Sequence, residues 1–233
     1  MKLVYIASPL HASTEEEMAQ NRKNAEEYCH QAMNLGTFSN KLIVPISPIL
    51  NFQYIDENNP KERQKALNMG LALLSKCDEL WVAGDRVSEG MRGELRAAVR
   101  MDIPIFSMGM DNEKIQEAIG ELQPVFTSES CIKGSDENNY EGKLLVLKPE
   151  ALAEWCREPE NQLWICKHGN GARFRAHGQS VFVENLMDGD MGRWDRHNFY
   201  GVADPEKLPE WAVERLNTLQ KEQENNYEME DEI

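Results

Sequence analysis

Between Met1 and Val125 the chain alternates short, dense apolar runs with longer stretches of helical periodicity. Leu3-Val-Tyr-Ile6, Leu42-Ile-Val-Pro-Ile46, Glu79-Leu-Trp-Val-Ala-Gly84 and Ile103-Pro-Ile-Phe106 have the length and the β-branched or aromatic content of buried strands. Ser13 and Glu16 stand at capping-box spacing. They open a helix that carries Met18, Ala25, Cys29, Ala32 and Met33 on one face and stops at Gly36. A second helix over 61–76 turns Ala66, Met69, Leu73 and Leu74 inward, a third spans Gly90 to Met101, and a fourth spans Asn112 to Ile119, before a short fifth strand near Val125. Strands separated by helices imply a parallel sheet covered on both faces. The expected fold is therefore α/β, a flavodoxin-like or Rossmann-like doubly wound parallel sheet of order 2-1-3-4-5. In that order the loops after the first and third strands diverge and leave a ligand crevice at the carboxyl ends. Those loops are Ala7-Ser-Pro-Leu-His11 and Asp85-Arg-Val-Ser-Glu-Gly90.

Past Val125 the pattern changes. Thr127 to Lys143 is rich in Ser, Asn, Asp, Glu and Gly, as a linker or lid would be. Leu144-Leu-Val-Leu147 and Leu163-Trp-Ile-Cys166 then read as strands, with a short Pro-initiated helix from Pro149 to Cys156 between them. Gln179 to Leu186 pairs with Gly192 to Phe199 across Asp188-Gly189-Asp190, and Pro209 to Leu219 is a terminal helix. The expected organisation is a first domain over 1–126, a linker or lid over 127–143, a small C-terminal α+β module over 144–219, and an acidic disordered tail over 220–233.

Composition narrows the partners. The net charge is -15, and no basic residue follows Lys221, which argues against a nucleic-acid polymer, whose recognition draws on clustered Lys and Arg. No apolar run reaches the length of a membrane span, and Met-Lys-Leu-Val-Tyr-Ile-Ala turns polar too early for a signal peptide, so a cytoplasmic location with no membrane partner is expected. The five cysteines, at 29, 77, 131, 156 and 166, form no C-x-x-C pair. Reduced thiols, with no metal and no cofactor, are the expectation. Cys166 and His168 are close but lack a second ligand pair at metal spacing.

Candidate chemistry concentrates after the third strand. A loop holding Ser88, Gly90 and Gly93 that becomes a helix with Glu94 in its first turn has the make-up to cradle a phosphate or sugar and aim a carboxylate at it. Each residue also has a structural reading. Glu94 complements the helix dipole, Ser88 caps the helix, Tyr5 belongs to an apolar strand and His11 faces solvent from a loop.

Three motifs in order, Tyr5-Ile-Ala-Ser-Pro, Cys77-Asp-Glu-Leu-Trp-Val and Ser88-x-Gly-x-x-x-Glu94, resemble the nucleoside 2-deoxyribosyltransferase superfamily. The resemblance covers the N-terminal half. A Ser six residues before the Glu, where transferases of free nucleosides tend to have Asp, is closest to the 2′-deoxynucleoside 5′-phosphate N-hydrolases. The resemblance implies that Glu94 is a nucleophile attacking the anomeric carbon of an N-glycoside, and that Tyr5 holds its carboxylate. It further implies that Ser88 and the backbone near Gly90 receive a 5′-phosphate or 5′-hydroxyl, and that Ala7 and Ser8 line the base or sugar pocket. Pro9, His11, Asp85 and Met91 complete the implied substrate-binding set. Family members usually place an Asp inside the preceding helix, whereas the corresponding stretch here reads Leu67-Asn68-Met69-Gly70. Asn68 hydrogen-bonds but does not trade a proton, and Asp56, Glu57 and Asp85 are the candidate substitutes.

The implied function is a nucleotide or nucleoside N-glycosidase or deoxyribosyltransferase, in a homo-oligomer, with a small-molecule nucleotide or nucleoside as partner and destruction of a nucleotide signal as one setting. The alternative is a non-catalytic binder, a sensor or sponge for a nucleotide or nucleotide-derived messenger. In the C-terminal module, Lys167 to His177 is a basic, Gly-rich loop that suits a phosphate or an acidic surface as well as plain solvent, and Arg193, Trp194 and Arg196 suit base stacking as well as core packing. The hairpin resembles segments of uncharacterised proteins from bacterial mobile elements and phages.

Overall fold

A computed structural model describes residues 1–38, 41–135, 139–169 and 180–230. The chain divides into two compact units, Met1–Leu122 with Glu154–Cys156, and Gln123–Ala153 with Arg157 onward. It is α/β, with a four-stranded parallel sheet in the first unit and a separate five-stranded antiparallel sheet in the second.

In the first unit, β1 (Lys2–Ala7), β2 (Ile43–Ile46), β3 (Glu79–Val82) and β4 (Ile105–Ser107) lie side by side in the order β2-β1-β3-β4. Helices α1 (Glu15–Phe38), α2 (Pro48–Asn51), α3 (Pro60–Leu74), α4 (Glu89–Arg100) and α5 (Asn112–Ile119) connect or follow them. The strand period of two decides which side chain meets which helix. Val4 and Ile6 of β1 pack with Ala32 of α1, while Tyr5 and Ala7 pack with Leu74 of α3 and with Met91 and Leu95 of α4. At the amino end of the sheet, Lys2 pairs with Glu79 of the neighbouring strand.

Several boundaries differ from those expected. The cap of α1 is Thr14, whose Oγ1 accepts from the Glu17 amide at 3.2 Å, one residue later than Ser13 and Glu16. Gly36 does not end the helix but lies inside it, at a position where a Cβ would stand 2.7 Å from the Lys41 carbonyl oxygen. Helix α2 was not expected at all. It is a single turn started by Pro48 after Ser47. No fifth strand forms near Val125 among the described residues. Instead the Phe126 amide donates to Gln162 Oε1 at 2.7 Å, so this backbone is satisfied within the second unit and adds nothing to the parallel sheet.

The second unit holds β5 (Leu144–Leu147), β6 (Leu163–His168), β7 (Ser180–Asn185), β8 (Met191–Asp195) and β9 (Phe199–Val202), ordered β8-β7-β6-β5-β9, and α6 (Glu210–Glu230). Alternation again sorts the side chains. Leu145, Leu147, Trp164 and Cys166 form one core, and Val146, Leu163, Leu186 and Ala212 form the other, beneath α6. The described residues of 127–143, expected as a linker or lid, contribute to this unit. Cys131 bridges Ala203, the Val202 amide donates to Ser135 Oγ at 2.9 Å, and Tyr140 is buried beneath Arg196, whose Cζ lies 3.9 Å from the ring centroid. The segment expected over Pro149 to Cys156 as one helix is two 3-10 turns, Pro149–Ala151 and Glu154–Cys156, divided between the units.

Helix α6 continues through Glu230, where a disordered tail from 220 was expected, because Glu, Gln and Lys favour helix wherever nothing terminates it. Of the basic loop Lys167–His177, residues 170–177 lie outside the described residues, and Lys167 pairs with Glu184 at 2.6 Å. Trp194 packs edge-on against Trp164 at 6.0 Å, which favours the core reading of that aromatic. No helix among the described residues is long and apolar enough to cross a membrane.

Gln162, fully buried, ties this unit together by accepting from the Phe126 amide and donating to the carbonyls of Phe126 at 3.0 Å and Leu147 at 2.8 Å. Replacing it with Leu strands three backbone groups away from water. Gln162→Leu is expected to destabilise the protein by about 2–4 kcal/mol, read from urea unfolding. A change below about 0.5 kcal/mol would show that these bonds are dispensable.

Candidate functional site

Helix α4 explains why a carboxylate sits low in the first unit. Its buried residues include Met91, Leu95 and Ala98, and helical geometry puts Glu94 in the middle of that apolar stripe. The face that packs on the sheet therefore carries one acid. On β1, Tyr5 points to the same side, and its hydroxyl donates to Glu94 Oε1 at 2.7 Å. Backbone geometry keeps this neighbourhood tight. A Cβ on Gly70 of α3 would lie 3.0 Å from the Tyr5 hydroxyl and 3.9 Å from Glu94 Oε1.

Enclosure sets the proton affinities of the pair. Burial pushes the Glu94 carboxyl up from its usual 4.5 to about 7, and the Tyr5 hydrogen bond opposes that rise by favouring the ionised form. Tyr5 moves further from ionisation, first because it is buried and then because a negative Glu94 repels a phenolate. Tyr5 thus remains a donor over the physiological range, while Glu94 exchanges its proton near neutrality.

Glu94 keeps an accessible side, which opens into a cleft lined also by Ser8, Leu10 and His11 from the loop after β1, and by Ser88, Gly90 and Met91 at the start of α4. Ser88 is the N-cap of α4, with its Oγ accepting from the Met91 amide at 3.4 Å and its own amide facing Met91 Sδ at 3.5 Å. Ser8 is 7% exposed, and its Oγ has no hydrogen-bond partner. Of the residues expected at the site, Glu94, Tyr5, Ser8, His11, Ser88, Gly90 and Met91 are brought together.

Ala7, Pro9 and Asp85 are not among the cleft-lining residues. The Ala7 carbonyl accepts from the Ala83 amide at 2.9 Å and its side chain is in the core. Pro9 packs against Gly84, where φ is +101° and a Cβ would come within 2.8 Å of Pro9 Cδ. Asp85 faces a separate polar depression with Tyr28, Asn21, Asn24 and Arg86, which His11 also borders.

The opposite wall was missed. Pro48, Ile49 and Phe52 come from the α2 turn and the residue after it, and Glu57, Arg63, Ala66 and Leu67 come from α3 and the segment before it. Arg63, Ala66, Leu67 and Gly70 recur at helical spacing, of which only Ala66 was expected to face inward. Asn68 is off this face. It is exposed and accepts from Gln64 Nε2 at 3.3 Å, so the helix position nearest Tyr5 and Glu94 is Gly70. Among the three acids considered as substitutes, Glu57 alone lines the cleft.

Two outcomes follow from the pair. In Tyr5→Phe the carboxylate loses its donor, so the Glu94 titration midpoint, followed by carbon NMR of the labelled side chain, should rise above about 7. An unchanged or lower midpoint would remove Tyr5 from the electrostatics of Glu94. Because folding raises this pKa from 4.5 to about 7, the protein binds a proton more tightly folded than unfolded, and its stability falls as pH increases across that window. Glu94→Gln should abolish that component, roughly 2–3 kcal/mol, in urea unfolding at pH 5 and pH 8.

Residues 2–108 match a family described as a domain of unknown function, DUF7768. No curated protein matches the sequence. Among solved structures, one similar chain is the 2-deoxyribosyltransferase from the psychrotolerant bacterium Bacillus psychrosaccharolyticus, 19% identical with a TM-score of 0.35, over 50% of this chain and 81% of that one. That similarity is too low to transfer either fold or function.

Proposed function

We propose that the cleft cleaves the N-glycosidic bond of a nucleoside or nucleotide, with Glu94 as nucleophile and Tyr5 as the residue that positions it. The observation that carries this reading is the 2.7 Å hydrogen bond from Tyr5 to a carboxylate otherwise surrounded by apolar packing, at the one place where that carboxylate opens to a cleft. An acid held there lowers the stability of the fold at neutral pH, which favours a role beyond packing. A Glu94 oxygen attacks the anomeric carbon, the C–N bond breaks with its electron pair leaving on the base, and a glycosyl ester forms. A water oxygen then attacks the same carbon, breaking the bond to Glu94 and freeing its carboxylate while the water's second proton passes to solvent, or in a transfer reaction a ring nitrogen of a second base attacks there, forming a new C–N bond and losing its own proton. Phe52 and Ile49 supply an apolar wall for a planar leaving group, and Glu57 is the second carboxyl available to protonate it.

The absence of a carboxyl at Gly70 favours a second reading, in which the pocket binds a nucleotide or nucleotide-derived messenger without turning it over.

Incubation with a panel of nucleosides and nucleotides, followed by chromatography of the released base, separates the two. Base release is expected, with Glu94→Gln lowering kcat by about a thousandfold or more, a loss typical of removing a covalent nucleophile. The rate should climb with pH through about 7, as Glu94 ionises. Saturable binding without any product would sink the catalytic reading and leave the binder.

A further inference from the structure

The Glu94 cleft is narrow, about 90 Å³, whereas the polar depression that shares His11 with it measures about 600 Å³. Sites for small molecules generally run from about 300 to 1,000 Å³. A ligand of that size therefore extends beyond the cleft, and His11, common to both cavities, marks where it enters the depression. The loop after β1 is the partition between the two. Ser8, Leu10 and His11 line the cleft, while from the other side Asn21 Nδ2 donates to the Leu10 carbonyl at 2.9 Å and Arg86 Nη2 donates to the His11 carbonyl at 3.0 Å. Residues of the depression thus hold the wall of the cleft in place.

The chemistry of the depression selects its occupant. Helix α1 contributes Glu17, Asn21, Asn24 and Tyr28, whose spacing of four, three and four residues lays hydrogen-bonding side chains along one helix face. Asp85 joins them from the loop after β3. Burial first, then Asp85 and Glu27, push the Tyr28 phenol up, so it stays a donor near a carboxylate acceptor. Asn24 Oδ1 accepts from Gln20 at 2.9 Å, which leaves its NH2 to donate, and among the described residues neither the Asp85 carboxylate nor the Tyr28 hydroxyl makes a hydrogen bond. Two carboxylates, Glu17 and Asp85, set against one guanidinium already engaged with a carbonyl, disfavour an anion. The apolar lining is only Ala12 and the Tyr28 ring, which itself packs on the core beneath α1, so a base has little to stack on. The group that suits this mixture of donors and acceptors is neutral and rich in hydroxyls, each of which both donates and accepts.

We propose that the depression is a subsite for the hydroxyls of a second pentose, carried by the ligand of the cleft and joined to its first sugar past His11. The inference rests on the nucleoside reading above and extends it, from a ligand with one sugar to a ligand with two.

Titration calorimetry of the full chain tests this in Glu94→Gln protein, so that no glycosidic bond is cleaved. The probes are the common nucleosides and 2′-deoxynucleosides as methyl phosphate diesters, each compared with the diester in which ribose replaces the methyl group, joined through the 5′ or the 3′ oxygen of the nucleoside. The two members of a pair carry the same charge. For at least one pair the ribose diester is expected to bind about tenfold more tightly or better, the gain from one or two net hydrogen bonds, by a factor that added salt leaves unchanged. Asp85→Ala, at an exposed position, and Asn24→Ala, at a half-buried one, should each cut that factor threefold or more. A factor below twofold in every pair overturns the proposal, as does one that both substitutions leave within twofold of its original value. A factor that collapses with salt marks a charged occupant, and free ribose that binds with Asp85 dependence but adds nothing when attached marks two separate molecules. Either result overturns it as well. Tighter ribose diesters with no base release by the wild-type protein from any substrate sink the N-glycoside reading alone, whereas base release without a ribose factor sinks this inference alone.

Discussion

Everything distinctive about the first unit depends on a hydrogen bond between two residues 89 positions apart, Tyr5 on the central strand β1 and Glu94 on α4. Neither group is at ease where it lies. The carboxylate sits on the packing face of an amphipathic helix and the phenol is fully buried, so each is the other's compensation for lost water. The arrangement tolerates little displacement. A one-residue slip of β1 would turn Tyr5 to the α1 side and bring Val4 or Ile6 against α4. Parallel pairing of Tyr5 with Ile46 on one side and Leu80 on the other fixes that register, and Gly70 lets α3 close over the pair.

The same packing that isolates this pair also builds the cleft above it. Parallel strands deliver their following loops to one edge of the sheet, so Ser8 after β1, Pro48 after β2 and Ser88 after β3 converge although the chain separates them widely. The cleft is asymmetric in chemistry. One wall, from α2 and α3, carries the apolar Pro48, Ile49 and Phe52 together with Glu57 and Arg63, while the facing boundary carries Glu94, the cap of α4 and the partnerless hydroxyl of Ser8.

The second unit shows a different economy. Its sheet is antiparallel and two-sided, with one core beneath α6 and the other reaching Tyr140 and the tryptophan pair Trp164 and Trp194. Gln162 serves there as a buried bracket for backbone that no strand satisfies. Residues 127–143 look like linker by composition, yet two of their three apolar members, Cys131 and Tyr140, fold in while Ile132 stays exposed. A polar segment with two well-placed anchors is indistinguishable by composition from one with none.

Local pattern determined the strands of the parallel sheet, the four long helices of the first unit and Ser88 at the start of one of them, because strand and helix periods are written in near neighbours, whereas Glu94 lies in the second turn of that helix and not the first. The place of Tyr5 beside Glu94 came from the resemblance alone, since β1 is apolar on both faces and alternation does not say which of them α4 covers. Only the tertiary structure decided the other wall of the cleft. The α2 turn is too short to have a periodicity, Arg63 reads as an ordinary surface cation on α3, and the importance of Gly70 lies in what a side chain would strike on β1 and α4. Likewise Asn68 and Gly70 are two residues apart in the chain, but helical rotation turns one to solvent and the other to Glu94. Sequence specifies what each element is, and close packing between elements distant in the chain specifies which of their residues meet.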